Sequence, residues 1–222
     1  MALLLAGWPL RAEDYAFCDD LVKKMNESYA RLNTYSVHFI KQEKIKAQGL
    51  YTEDIDLLFA KPFRVRMSWR TGLRRAIVAI YQEGENNNKI KVRTKGLGFS
   101  FSADPLGASA MKNNHHPITE IGLGKTIELI TNNYERAKKN NELKILDCRE
   151  VRFQGRPASR LEVLLPADEK KGYYCRRLVL LVDQANNLPV NIQIFMNDDE
   201  LYENYTFLDL QENVKIDAKT FK

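Results

Sequence analysis

Residues 57–69 read Leu57-Leu58-Phe59-Ala60-Lys61-Pro62-Phe63-Arg64-Val65-Arg66-Met67-Ser68-Trp69. Ahead of the proline, Ile55, Leu57 and Phe59 alternate with other residues. Beyond it, Phe63, Val65, Met67 and Trp69 alternate with Arg64, Arg66, Ser68 and Arg70. A period of two marks strands with one apolar face each. Pro62 has no amide hydrogen for a central strand to donate, so it belongs at the corner between the two. The second strand carries an apolar face and, opposite it, arginines. What the apolar face meets, a core or a ligand, is the functional question.

The same period recurs along most of the chain. Before it begins, Phe17, Leu21, Met25, Tyr29 and Leu32 trace a helical stripe over residues 14–32. Strands are then expected near 34–40, 55–59, 63–69, 74–81, 89–93 and 97–101, separated by turn formers such as Gly49, Pro62 and Thr71-Gly72. Residues 103–141 break the pattern, and Leu123, Ile127, Ile130, Tyr134 and Ala137 mark a second helix there. Strands resume at 143–153, 159–165, 173–182, 190–196 and 201–210, with the last turn at Asn197-Asp198-Asp199. About eleven strands in short-linked succession make an antiparallel meander. A sheet that large must curl, with helices covering its concave side. The fold class expected is mainly β (α+β), in one domain over residues 13–222.

Residues 1–10 are apolar and end at Leu10-Arg11-Ala12, so residues 1–12 are expected to be the remnant of an export signal; the run is far too short to span a bilayer. An ordinary N-terminal helix turn is the alternative. Cys18 lacks the small residues ahead of it that a lipidation site wants. Cys148 and Cys175 fall on the first and third strands of a meander, about 10 Å apart at ~4.8 Å per strand, beyond disulfide reach. Three unpaired thiols are the expectation.

The inventory of reactive groups argues against an enzyme. His115-His116 is the most metal-like pair, but neighbours on an extended loop point apart and no acidic residue or cysteine stands at a ligand spacing. A solvent-exposed loop is expected, with no metal and no cofactor. His38 points away from its strand's apolar face. Gly122-Leu123-Gly124-Lys125-Thr126 resembles the end of a phosphate-binding loop but lacks the first glycine, where Thr119 stands. Its glycines serve to let the chain enter a helix at an angle. Thirty-four basic against 29 acidic residues give a net charge of +5, too modest to establish nucleic-acid binding. Arg64, Arg66, Arg70, Arg74 and Arg75 form a local basic patch that Lys41, Lys44 and Lys46 extend. Two readings stand for it: a solvated outer face of the sheet, or contact with anionic headgroups or an acidic partner.

Three stretches together resemble the bacterial lipoprotein-carrier superfamily, the LolA/LolB-like fold. They are Thr34-Tyr35-Ser36-Val37-His38-Phe39-Ile40-Lys41-Gln42, the strand–proline corner–strand of residues 58–69, and the closing segments at Leu188-Pro189-Val190, Tyr205-Thr206-Phe207 and from Asn213-Val214 to Phe221. From about Tyr15 onward the chain is most similar to an uncharacterised bacterial family of that fold, a domain of unknown function. The resemblance implies an eleven-stranded open half-barrel, a helical lid and an apolar cleft that takes acyl chains in the periplasm. By alternation, the cleft walls are expected from Phe39, Leu57, Phe59, Val65, Met67, Trp69, Ile192 and Ile194. Lys61 stands where carriers have a lid-holding arginine, and Val65 where they have an aromatic residue. The functional expectation is an exported, non-enzymatic protein that binds lipid or a lipoprotein acyl chain. The rival is an envelope interaction or sensor module that binds a protein partner through Arg64, Arg66 and Arg70.

Overall fold

The computed structural model describes residues 12–46, 48–72, 74–96, 98–166, 168–196, 200–217 and 219–222. Most of the expected signal segment, Leu97 of the expected sixth strand and the Asn197-Asp198-Asp199 turn lie outside the described residues.

Helix α1 (Ala12–Arg31) leads into β1 (Thr34–Ile45), β2 (Gly49–Ala60), β3 (Arg64–Trp69), β4 (Ile77–Gln82), β5 (Ile90–Thr94) and β6 (Ser100–Ala103). A crossing segment carries α2 (Ala108–Met111) and α3 (Leu123–Lys139). The second run is β7 (Lys144–Phe153), β8 (Arg156–Leu164), β9 (Arg177–Asp183), β10 (Pro189–Phe195) and β11 (Leu201–Glu212). All eleven strands join one antiparallel sheet in the order β6-β5-β4-β3-β2-β1-β11-β10-β9-β8-β7. The sheet stays open, as the half-barrel expectation required. Each half is a meander, and the halves meet where the first strand pairs with the last. Strands β6 and β7 are therefore opposite edges, and the segment between them must cross the sheet.

The apolar residues fall in phase across these pairings. Phe39 lies between Ile55 of β2 and Phe207 of β11, and Leu57 lies between Val37 and Met67. Because register neighbours share a face, their side chains merge into one buried row. The helices complete the core: Leu21, Val22 and Met25 from α1 with Leu32 just beyond its end, and Leu123, Ile127, Ile130, Tyr134 and Ala137 from α3. The α1 stripe is rotated from the expected one. Phe17 is exposed, and Cys18 points inward in its place.

That rotation explains a correction. Cys18 forms a disulfide with Cys148 of β7, their Cα atoms 6.5 Å apart, so the expectation of three unpaired thiols fails. The Cys148–Cys175 geometry was never the relevant pair; the helix supplies the partner. Cys175 is a buried free thiol.

The C-terminal residues fold back over the convex face, where Ala60, Val78, Ile80 and Phe221 form a second small core. Pro62 sits in the turn between β2 and β3, and the Lys61–Pro62 peptide is cis.

Candidate functional site

The crossing segment leaves an apolar cleft of about 190 Å³ over the β3–β6 half of the sheet. Met67, Ala79, Ile90, Val92, Ala110 and Ile121 form much of its wall, with Phe101 of the edge strand at its side. Phe99 (71% exposed), Phe101 (57%) and Leu106 (72%) present apolar surface around that edge. The volume lies below the ~300 Å³ at which drug-sized pockets begin, so the space suits a slender ligand.

One end of the cleft is polar: Lys41, Arg74, Asn114 and His116 line it. They are the visible part of a buried charged network. Lys41, Glu43, Glu53 and Glu203 are all inward-facing and buried. They share the strand phase of the core: Lys41 and Glu43 continue the Tyr35-Val37-Phe39 face, Glu53 precedes Ile55, and Glu203 precedes Tyr205 and Phe207. Charges so placed are tolerated only when paired. The Lys41 ammonium lies 3.0 Å from both the Glu43 and Glu53 carboxylates and donates to Asn114 Oδ1. Glu53 Oε1 also accepts from Trp69 Nε1 and Arg74 Nη1, each at 2.8 Å. Thus Lys41 and Arg74 do not extend the outer basic patch; both turn inward to carboxylates.

Glu203 is the second centre of the network. Its Oε1 accepts from Tyr174 Oη at 2.6 Å and from His115 Nδ1 at 2.8 Å, and His116 Nε2 lies 3.3 Å away. His115 Nε2 meets the Lys44 carbonyl at 3.0 Å, and the His115 peptide N–H donates to Glu43 Oε2 at 2.9 Å. A carboxylate and a carbonyl only accept, so both His115 ring nitrogens carry hydrogens. For His116, Nδ1 meets Glu120 Oε2 at 3.1 Å and Nε2 meets Tyr174 Oη at 2.8 Å. Tyr174 spends its own proton on Glu203, so His116 is an imidazolium as well. Burial opposes that charge, but Glu203 and Glu120 outweigh it and raise the His116 pKa to about 9. Burial likewise opposes ionised Glu203, yet the histidines hold its pKa down to about 2. The histidine pair is therefore no solvent-exposed loop. Adjacent residues reach one carboxylate because the loop folds over it.

The expected wall residues divide. Phe39, Leu57, Phe59, Val65, Met67, Trp69, Ile192 and Ile194 all face inward and are buried. Only Met67 and Trp69 line the cleft; Phe59 borders a separate groove near α1 and α3, and the other five sit within the filled core. Strand alternation told inside from outside, but not filled from empty. Lys61 Nζ donates to the carbonyls of Tyr29 (2.9 Å) and Ala30 (3.1 Å) at the end of α1. It also stands 4.5 Å over the Tyr29 ring. A cation there satisfies carbonyls that the helix leaves unpaired. On the convex side, Arg64 stacks 5.4 Å from the Phe221 ring, and Arg70 lies 3.8–3.9 Å from Asp54 and Asp56. The outer arginines are thus partly engaged within the chain. His38 bonds Asp54 at 2.7 Å.

The glycines of Gly122-Leu123-Gly124 have a packing role. The Leu123 N–H donates to Tyr35 Oη at 2.8 Å at the start of α3. A Cβ on Gly122 (φ +106°) would fall 2.6 Å from that hydroxyl, and one on Gly124 would collide with the Tyr29 phenol.

The chain is thus an open antiparallel half-barrel whose edges are joined by a helical crossing, with a cleft under that crossing. The fold is similar to that of the Mycobacterium tuberculosis lipoprotein LppX: TM-score 0.52, 15% identity, covering 92% of this chain and 100% of that one. A conserved uncharacterised protein of Thermus thermophilus gives a TM-score of 0.50 at 7% identity, with 92% and 93% covered. A LolA superfamily protein of Nitrosomonas europaea gives 0.39 at 9% identity, with 92% and 96% covered. No curated protein sequence matches. Residues 32–222 match the family described as protein of unknown function (DUF1571), and the chain belongs to that family.

Proposed function

We propose that this protein is a non-enzymatic, exported binding protein whose β3–β6 cleft takes a single apolar chain, from a lipid or from a lipoprotein acyl group. The observation that carries this reading is the cleft itself: an apolar space against the β3–β6 half of the sheet, bordered by the exposed Phe101 ring. Exposed apolar surface of this kind marks contact with a membrane or a ligand more often than chance. The polar end at Lys41, Arg74, Asn114 and His116 then sets how far a chain can enter. An export signal at residues 1–10 would send the protein to the periplasm or cell envelope. Among the described residues no helix is long and apolar enough to cross a membrane.

Native mass spectrometry of gently purified protein, with and without added palmitate, tests the reading. Bound fatty acid is expected on the wild-type chain and not on Ala79→Phe, whose ring fills the cleft. A clean apo mass that never shifts with palmitate overturns it. So does undiminished uptake by a folded Ala79→Phe protein.

A further inference from the structure

We infer that Glu43, His115 and Glu203 form a site for an imidazole-preferring divalent cation of the Zn²⁺ type, with His116 Nε2 as a fourth donor. One ligand atom from each of the three residues lies within 4.8 Å of the others. The site is built by register: Glu43 of β1 and Glu203 of β11 are direct partners across the strand pair, both on the buried face. Like charges opposite each other on neighbouring strands repel, and burial strengthens the repulsion. Lys41 and the two histidines offset that cost here, and a divalent cation between the carboxylates would take over the histidines' share.

Two independent features point to a ligand rather than to a closed ion-pair network. Glu203 is 0% exposed, yet its Oε2 has no hydrogen-bond partner among the described residues. A buried, unused carboxylate oxygen is expensive unless something binds it. The donors, moreover, are already oriented from behind. His115 Nε2 is tied to the Lys44 carbonyl, which leaves Nδ1 facing Glu203, and His116 Nδ1 is tied to Glu120, which turns Nε2 toward Tyr174 Oη at 2.8 Å and Glu203 at 3.3 Å. Glu43 Oε1 is held by Tyr205 Oη at 2.7 Å, and Glu203 Oε1 by Tyr174 Oη. A far-side acceptor on each histidine and hydrogen bonds on each carboxylate are how protein metal ligands are positioned.

Once both imidazoles are neutral, Lys41 and Arg74 are two fixed cations among three carboxylates, Glu43, Glu53 and Glu203, which leaves one negative charge for a metal to meet. On binding, the metal takes the lone pairs of His115 Nδ1 and His116 Nε2, and the two protons those nitrogens now hold leave to solvent. Access is open: a cleft of about 450 Å³ reaches His115, His116, Tyr174 and Tyr202. Two carboxylates with one or two imidazoles suit Zn²⁺, whereas Ca²⁺ demands six to eight oxygen ligands. This site stands independently of the acyl-chain reading.

The test uses the untagged full chain, stripped with EDTA and titrated with ZnCl₂ by calorimetry, with CaCl₂ and MgCl₂ in parallel. Stoichiometric uptake of one Zn²⁺ per chain is expected, with none of the other two ions. X-ray absorption should show a nitrogen/oxygen shell at about 2.0–2.1 Å and no sulfur. His115→Ala should lose uptake, Tyr174→Phe should weaken it about 10-fold to 100-fold, and His38→Ala on the outer face should leave it unchanged. Failure of the folded wild-type chain to take up Zn²⁺ overturns the inference without recourse to any variant. A sulfur ligand, or equal loss in His38→Ala, overturns it as well.

Discussion

Glu43 and Glu203 stand opposite each other on neighbouring strands, and a single residue, His115, engages both: its peptide N–H bonds Glu43 Oε2 at 2.9 Å and its Nδ1 bonds Glu203 Oε1 at 2.8 Å. The loop between α2 and α3 is thereby fastened to the junction of the two half-sheets. Glu203→Gln leaves two imidazolium rings without their shared counter-charge. Removing one partner of a buried charged set typically costs about 3–5 kcal/mol. Urea unfolding of this variant should show a loss of that order, largely in the midpoint rather than in the slope.

The same cluster sets a pH profile. The His116 pKa is raised from 6.5 to about 9 on folding, so its contribution is full below pH 6.5 and is lost as pH climbs through about 9. The Glu203 pKa falls from 4.5 to about 2, so its contribution is full above pH 4.5 and is lost as pH drops towards 2. His115 shifts upward too, with burial opposing and Glu203 and Glu43 prevailing. Melting temperature should therefore peak between those limits, and the alkaline decline should flatten in His116→Asn.

Gly124 packs where the Tyr29 phenol crosses the first turn of α3. In an ordinary exposed helix, Gly→Ala stabilises by roughly 0.5–1 kcal/mol. Here the added methyl group overlaps a ring, so Gly124→Ala should destabilise instead. Tyr29→Ala combined with Gly124→Ala should recover part of the loss relative to the sum of the single changes. A double-mutant cycle read by urea denaturation measures that coupling.

The Cys18–Cys148 bridge closes a loop with a sequence separation of 130 and ties α1 to the β7 edge. Removing such a cross-link costs about 2–5 kcal/mol. Cys18→Ser and reduction by dithiothreitol should lower the melting temperature alike. Cys175 should resist alkylation until the chain unfolds, because burial pushes its thiol pKa up to about 12.

Much of this architecture is written in residue periodicity. Phe39, Leu57, Met67 and Ile192 alternate cleanly, and α3 buries the stripe that Leu123, Ile127, Ile130, Tyr134 and Ala137 predict. The charged network was legible in the same phase, since Lys41, Glu43, Glu53 and Glu203 occupy inward positions of strands whose other inward residues are apolar. What periodicity cannot carry is long-range pairing. Nothing local joins His115 to Glu203, 88 residues away, or Cys18 to Cys148. Alternation is equally blind to volume, which depends on how the crossing segment lies over the sheet. Ile192 and Met67 follow the same rule, yet one is packed solid and the other borders the cleft.

Phe99 and Phe101 lie two residues apart at the β6 edge, 71% and 57% exposed, and Phe101 borders the cleft. Neither ring is needed by the core, so Phe99→Ser with Phe101→Ser should change unfolding free energy by no more than about 0.5 kcal/mol each. Their effect should appear at a bilayer instead. A phenyl ring moved from water into lipid is worth about 1.5–3 kcal/mol when fully buried. Losing both rings should cut partitioning onto phosphatidylglycerol-containing liposomes by on the order of a hundredfold. Co-sedimentation of wild-type and double-variant protein measures the difference. Equal sedimentation of the two would separate the cleft from the membrane: ligand entry would then proceed from solution, without the edge strand touching lipid.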